Sequence, residues 1–568
     1  MRTRSLSHLG DHREERGGRA SPFSRPLGAH SGDCVARESG ERGRSPTRAA
    51  DQPRVRQSPG EAPPDARTPG THPGGCGHAL PAVAALALAL ASAPSAGAEQ
   101  AVAEGHWDFT PRVGASLELT DNVNLAPRGD EEHDLIGTVF PGFSASRSGA
   151  RSSVDVSYSL RQRFHARESR QDRLTHRLSG RGQAELVEDT LFVEASAARM
   201  EHADSLLDPV GIGDSTPRAN LRETTRYRIS PYLLTRYGAF ARQEVRYSFS
   251  ETLNHRSQTG DSSLQRLAYT LDSGPAFNRP FWQIAGHYEE ERFDDRDTGE
   301  FAEASVTAGY HFGRSLRVFA VAGRESNNFE TIREDDDGSF WEVGAGWSPT
   351  PVTRIDARYG ERYFGKTGSL AIDHRSRRAT YHLSYSESID STRSRGPRFD
   401  ELASLLGVTV DDLFTLPPDD LALLLALSGL EDDALVEGYY LSRRLRASWS
   451  YDTGRSVYRI TGFRTKRESE SPIAVGITPD DRTSRGVNLS WDWRLGPRTD
   501  TRLSTGLVRH DFDFGRTDDL WNLRASISRE MTPDLRGSLT YRYQQRDSDL
   551  AINEYRENAF IATVTTTF

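Results

Sequence analysis

The residues of this chain that could do chemistry are scattered along it. His133, His165, His255, His374 and His510 stand in predicted loops, where a Ser–His–acid hydrolase could assemble at a rim. None lies in a context such as G-x-S-x-G, and a loop histidine is ordinarily just solvated. No catalytic residue is assigned, and the expectation is a protein that is not an enzyme. The run "REDDDGS", Arg333 to Ser339, invites a calcium reading. An EF-hand would need an acid where Arg333 stands and a Glu at its twelfth position, so a solvated acidic loop is the simpler expectation. Both cysteines, Cys34 and Cys76, precede the cleavage site proposed below. The mature chain then has no thiol chemistry, disulfide or Cys-ligated zinc. No metal and no cofactor is expected.

Charges at alternate positions are a second candidate. In "RSSVDVSYSLRQRF" the spacing puts Asp155, Arg161 and Arg163 on one face. In "TRIDARYGERYFG" it does the same for Arg354, Asp356, Arg358 and Arg362, and in "LRGSLTYRYQQ" for Arg536 and Arg542. Period two is the signature of a strand. An arginine can face the inside of a soluble sandwich only if paired, whereas a water-filled lumen takes it at little cost. Lumen charges of mixed sign can select among polar solutes or merely pair across strands; both readings stand.

The elements that must carry these charges follow from the same period. In "EASVTAGYHF", Ala302, Ala304, Val306, Ala308, Tyr310 and Phe312 share one face, and in "RGVNLSWDWRL" Val487, Leu489, Trp491, Trp493 and Leu495 do. Tight links such as "VEDT", "GPRT" and "TPDL" alternate with long charged ones such as "HADSLLDPVGIGDSTPRAN", as short periplasmic turns alternate with outer loops in a membrane barrel. Only 35% of the 568 residues are hydrophobic and 27% are charged, too thin a core for a soluble chain of this length. A barrel with lipid outside and water inside needs apolar residues at only half its strand positions. A helical membrane protein is excluded, because no uncharged apolar run reaches 18 residues.

The expected fold is all-β, a transmembrane antiparallel β-barrel of about 20–22 strands with a small helical insert. The pattern gives about twenty-one strands, an odd number where single-chain bacterial barrels are even. The conflict falls around residues 389–437, so one strand is missed there or miscounted elsewhere, or else the insert passes through the lumen. Within the insert, at about 390–436, Asp411 and Asp419 suit helix N-caps, Pro417 and Pro418 break the segment, and "LALLLALSGL" reads as a short helix. It is expected to be a plug, a docking site for a periplasmic partner, or a packed excursion.

Trp341 and Trp347, six residues apart on one face, and Trp491 and Trp493 are expected in aromatic girdles. Leu80 to Ala93 form a short apolar core followed by Ala96-Gly97-Ala98, which reads as a signal peptide over 79–98 cleaved near Ala98. Residues 1–78 read as disordered or as the product of a start placed too far upstream, and 99–568 as the barrel. The last segment, "NAFIATVTTTF", places Phe560, Ala562, Val564 and Phe568 at even positions.

The chain resembles the outer-membrane β-barrel proteins associated with the PEP-CTERM and exosortase system. The resemblance rests on "LELTDNVNLAP" (Leu117 to Pro127), on "YYLSRRLRASWSYDTGRSVYRITGFR" (Tyr439 to Arg464) and on Phe568. It implies that Phe560, Ala562, Val564 and Phe568 form the signal read by the barrel-assembly machinery. It implies a place in the outer membrane, with lipid and lipopolysaccharide as neighbours and exopolysaccharide or periplasmic export components as partners. The expected function is porin-like passage linked to export of exopolysaccharide or PEP-CTERM surface proteins. The alternatives are a non-conducting structural or docking barrel and a rim hydrolase. No nucleic-acid partner is expected.

Overall fold

The computed structural model describes residues 106–212, 215–255, 260–294, 297–333, 337–391, 438–472 and 481–568. The expected signal peptide, the N-terminal extension and the helical insert lie outside them. Among the described residues the helical elements are short 3-10 turns, such as those at Ser169–Gln171, Arg218–Asn220 and Ala551–Asn553. Everything else regular is strand.

Twenty-two antiparallel strands form one sheet that closes on itself. They are β1 (Trp107–Thr120), β2 (Asp134–Ser148), β3 (Ser152–His165), β4 (Arg173–Val187), β5 (Leu191–Ala203), β6 (Leu221–Tyr237), β7 (Ala241–His255), β8 (Ser262–Ser273), β9 (Pro280–Phe293), β10 (Gly299–Phe312) and β11 (Leu316–Asn328). They continue with β12 (Gly338–Thr350), β13 (Thr353–Arg362), β14 (Gly365–Arg375), β15 (Ala379–Ser391), β16 (Tyr439–Asp452), β17 (Ser456–Ser469), β18 (Arg482–Gly496), β19 (Thr499–Phe512), β20 (Thr517–Thr532), β21 (Leu535–Ser548) and β22 (Tyr555–Thr567). Each strand pairs with its neighbours in sequence, and β22 closes on β1 from Arg112↔Thr567 to Thr120↔Ala559. Closure leaves no edge with unpaired backbone groups in lipid.

The outer face carries the apolar half of each strand. Val306, Phe312, Val343, Leu489, Leu507 and Leu539 are all exposed there, which is where lipid contact puts large apolar side chains. Aromatic rings edge this band. Trp341 packs on Tyr359 at 6.2 Å toward the long-loop end, and Trp347 lies near the other end of the same strand. Trp491 and Trp493 stack on each other at 5.3 Å, both near the short-turn end, so this second pair marks one edge only.

Inner-wall rings use glycine in the adjacent strand as a seat. A Cβ on Gly323 would lie 2.4 Å from the Phe340 ring directly across from it, and one on Gly344 would lie 2.3 Å from the Phe319 ring. Only glycine leaves room for the ring to lie flat on the neighbouring backbone.

The missing strand is β14, upstream of the insert. Its hairpin with β13 turns through Tyr363 and Phe364 alone, without the Asn-Gly or Asp-Gly signal of a two-residue turn, and "ERYFG" therefore reads as continuous strand. The turn is relieved instead at Gly365, with φ 111°. With β14 counted, β15 and β16 become neighbours paired from Ser391↔Tyr439 downward, so the strand ends that flank residues 392–437 both stand at the long-loop rim. The conflict in strand direction disappears with the even count.

Candidate functional site: the lumen wall and its outer mouth

Alternation fixes which side chains enter the lumen, and cross-strand register fixes whom they meet. Asp155, Arg161 and Arg163 of β3 point inward: Arg161 lies over the Phe140 ring at 5.6 Å, and Arg163 stands 3.6 Å from Glu118. On β13, Arg354 and Asp356 pair at 2.6 Å, and Arg317 of β11 reaches the same carboxylate at 2.7 Å. Arg358 lies 3.8 Å from Glu342. Arg362 contacts Glu303 and, at 2.9 Å, Glu325. Arg536 reaches Asp500 at 3.5 Å. Arg542 is buried between Glu118 at 2.5 Å and Glu557 at 2.7 Å. Phe560, Ala562 and Val564 lie on the outer face of β22, and Phe568 just beyond it donates its backbone N–H to Pro111 O at 3.0 Å.

The histidines are dispersed. His165 meets Asp172 at 3.0 Å, His374 meets Thr353 Oγ1 at 2.8 Å, and His510 meets Ser484 Oγ at 2.8 Å through Nδ1. Asp518, across from His510 on β20, is engaged by Arg546 at 2.6 Å and Arg516 at 3.0 Å, the arrangement of an anchor and not of a triad acid.

What that anchor holds is the loop of residues 204–220 between β5 and β6. Arg546 donates to Leu206 O and Asp208 O, both at 2.6 Å, while Arg516 and Asn553 donate to Leu207 O at 3.0 and 2.6 Å. Tyr555 donates its hydroxyl to Val210 O at 2.6 Å. Gln544 accepts from Ile212 N at 2.9 Å and donates to Ser215 Oγ at 2.9 Å. Ile212 packs against Phe463 and Val508, inward-facing residues of β17 and β19. A loop that starts on β5 is thus tied to β17 and β19–β22, and it straps across the outer mouth.

A second strap is tied down at the same rim. Ile332 N donates to Glu470 O at 2.8 Å, Arg333 pairs with Glu470 at 2.6 Å, and Phe329 packs on Tyr439 at 4.6 Å. These contacts link the β11–β12 loop to the tops of β16 and β17, over the short β13–β14 hairpin. At the hairpin tip, burial beside Glu325 and Glu470 pushes the Tyr363 phenol above its ordinary range, so it stays a neutral donor.

Below the straps the lumen is zoned by charge. Arg177, Arg181, Arg226, Arg228 and Arg246 line the wall from β4 to β7, and Arg444, Arg446, Arg459, Arg502 and Arg524 line it from β16 to β20. Between these walls, β9 to β12 present Glu289, Glu291, Glu303, Glu325 and Glu342. Alternation marks such residues as inward; it gives no sign of the straps or of the pairing of Arg546 with Asp518.

No family model matches the chain, and no curated protein does. Among solved structures it is similar to the FrpB iron transporter from Neisseria meningitidis, F3-3 variant, at 10% identity over 81% of this chain and 82% of that one, with a TM-score of 0.48. It is also similar to the siderophore receptor PirA from Pseudomonas aeruginosa, at 10% identity over 81% and 80% of the two chains, with a TM-score of 0.42. The class follows from the chain's own architecture. A closed 22-stranded antiparallel sheet with an apolar, ring-edged outer face, a charged lumen, short turns at one rim and long loops at the other is an outer-membrane β-barrel.

Proposed function

We propose that this barrel passes a hydrophilic, negatively charged solute or polymer across the outer membrane, and that its substrate class is an acidic polysaccharide exported to the surface. One observation carries the reading: two arginine-bearing walls flank the lumen, and side chains such as Arg181 and Arg228 keep their heads exposed inside it. Guanidinium groups recognise carboxylate and sulfate bidentately and keep their charge at any physiological pH. The resemblance to barrels of the PEP-CTERM and exosortase system supports the export direction. Single-channel recording of the purified barrel tests this: chloride should carry more current than potassium, and a polyuronate should block it. A cation-selective pore would refute the reading, as would a barrel that stays silent even after residues 390–436 are removed.

The straps favour a second reading, a barrel whose strapped mouth serves as a docking platform. Silence in the same recording, with the fold intact, is its expected outcome.

A further inference from the structure

The wall from β3 to β6 is hollowed on its lumen side, in the half nearer the short turns. The cavity measures about 450 Å³ and opens on the lumen. This lies within the roughly 300–1,000 Å³ typical of small-molecule sites. Arg181, Arg228, Asp155, Glu194 and Gln183 line it, with serines filling the spaces between them.

The polar heads are arranged in a fixed order. Arg181 Nε stands 3.7 Å from Asp155 Oδ2, and these two side chains are 47% and 46% exposed. Glu194, 45% exposed, is held by Arg246 at 2.7 Å, and Arg228 donates to Ser248 Oγ at 3.0 Å. Each charged group is therefore oriented by a neighbour yet open to the lumen. The next inward pair toward the short turns is aromatic: Phe192 stacks on Tyr232 with centroids 5.1 Å apart and planes 12° apart. The Arg246 guanidinium lies 3.9 Å from the centre of the Tyr232 ring, which fixes the stack from the other side.

We infer that this cavity is a subsite for one sugar residue of an acidic polysaccharide, a hexuronate, on its way through the lumen. The inference rests on the proposed passage of an anionic polymer and adds where on the wall the polymer is held. Arg181 and Arg228 take the carboxylate. Asp155 and Glu194 accept from ring hydroxyls, and Gln183 offers both an amide donor and an acceptor. A neutral sugar would satisfy the carboxylates but offer no anion to Arg228, whose guanidinium is held by the neutral Ser248 Oγ at 3.0 Å, so the site discriminates by charge.

The test is equilibrium binding to the folded full-length barrel in detergent, by calorimetry, which needs no open pore. Trigalacturonate is the acidic probe and maltotriose the neutral one. Trigalacturonate should bind at least tenfold more tightly than maltotriose, and Arg181→Ala/Arg228→Ala should remove that tenfold preference. Arg494→Ala, an exposed arginine on β18, should leave it unchanged, and heat-dependent gel mobility certifies that each variant is folded. Equal binding of the two probes, no binding of either, or an unaltered preference in the double variant would overturn the subsite. An anion-selective pore combined with any of these results would leave the passage standing and remove only the subsite, whereas strong selective binding to a silent barrel would do the reverse.

Discussion

The outer mouth and the hollowed wall of β3–β6 are built from the same residue types and do opposite things with them. At the mouth, Arg542, Arg546, Asp518 and Glu557 are all nearly inaccessible, and their charges are spent on each other and on the backbone of a strap. In the hollow, Arg181, Asp155 and Glu194 have side chains close to half exposed. A buried pair is costly to break because the charge left behind stays desolvated without its counter-charge, while an exposed one contributes little. The mouth charges are therefore structural, and the hollow's charges remain available to a solute.

The sharpest way to break this contrast is at Arg542. Arg542→Ala strips Glu118 and Glu557 of a buried partner and should cost about 3–5 kcal/mol. Urea titration of the barrel refolded into vesicles would show it, and a loss below about 1 kcal/mol would mean that the mouth is wet. Next comes the lipid face. Ala308→Arg puts a charge on the outside of β10, worth about 2–4 kcal/mol at the bilayer midplane, whereas Thr307→Arg enters the lumen and should be nearly neutral by the same titration. Equal tolerance of both would invert the assigned faces. Gly323→Ala tests the seating of inner rings: its Cβ would lie 2.4 Å from Phe340 and 2.7 Å from the backbone oxygen of Ala304, an overpacking of about 1–3 kcal/mol. A lowered temperature for the gel-mobility shift is the expected outcome. The smallest effect belongs to the hollow, where Arg181→Ala should change stability by no more than about 0.5 kcal/mol. A large loss there would make the cavity a structural feature like the mouth.

Much of the architecture is legible in the order of residues because period two is local. Whether a strand side chain meets lipid or water depends only on its parity, so Ala308 and Thr307, or Tyr541 and Arg542, can be assigned to faces without knowing which strands pair. Turn chemistry is local too, and it fails where its signal is absent: the Tyr363–Phe364 turn hides β14 because neither residue marks a turn. Partners are another matter. Arg542 meets Glu118 across 424 positions because β22 closes on β1, and Arg546 meets Leu206 across 340 because a loop folds inward. Neither closure nor an inward fold leaves a periodic trace. Alternation alone specifies a barrel with a charged lumen; which of those charges are buried in the mouth and which stand open to what passes is set by the folded chain, since burial depends on what the rest of the chain lays over them.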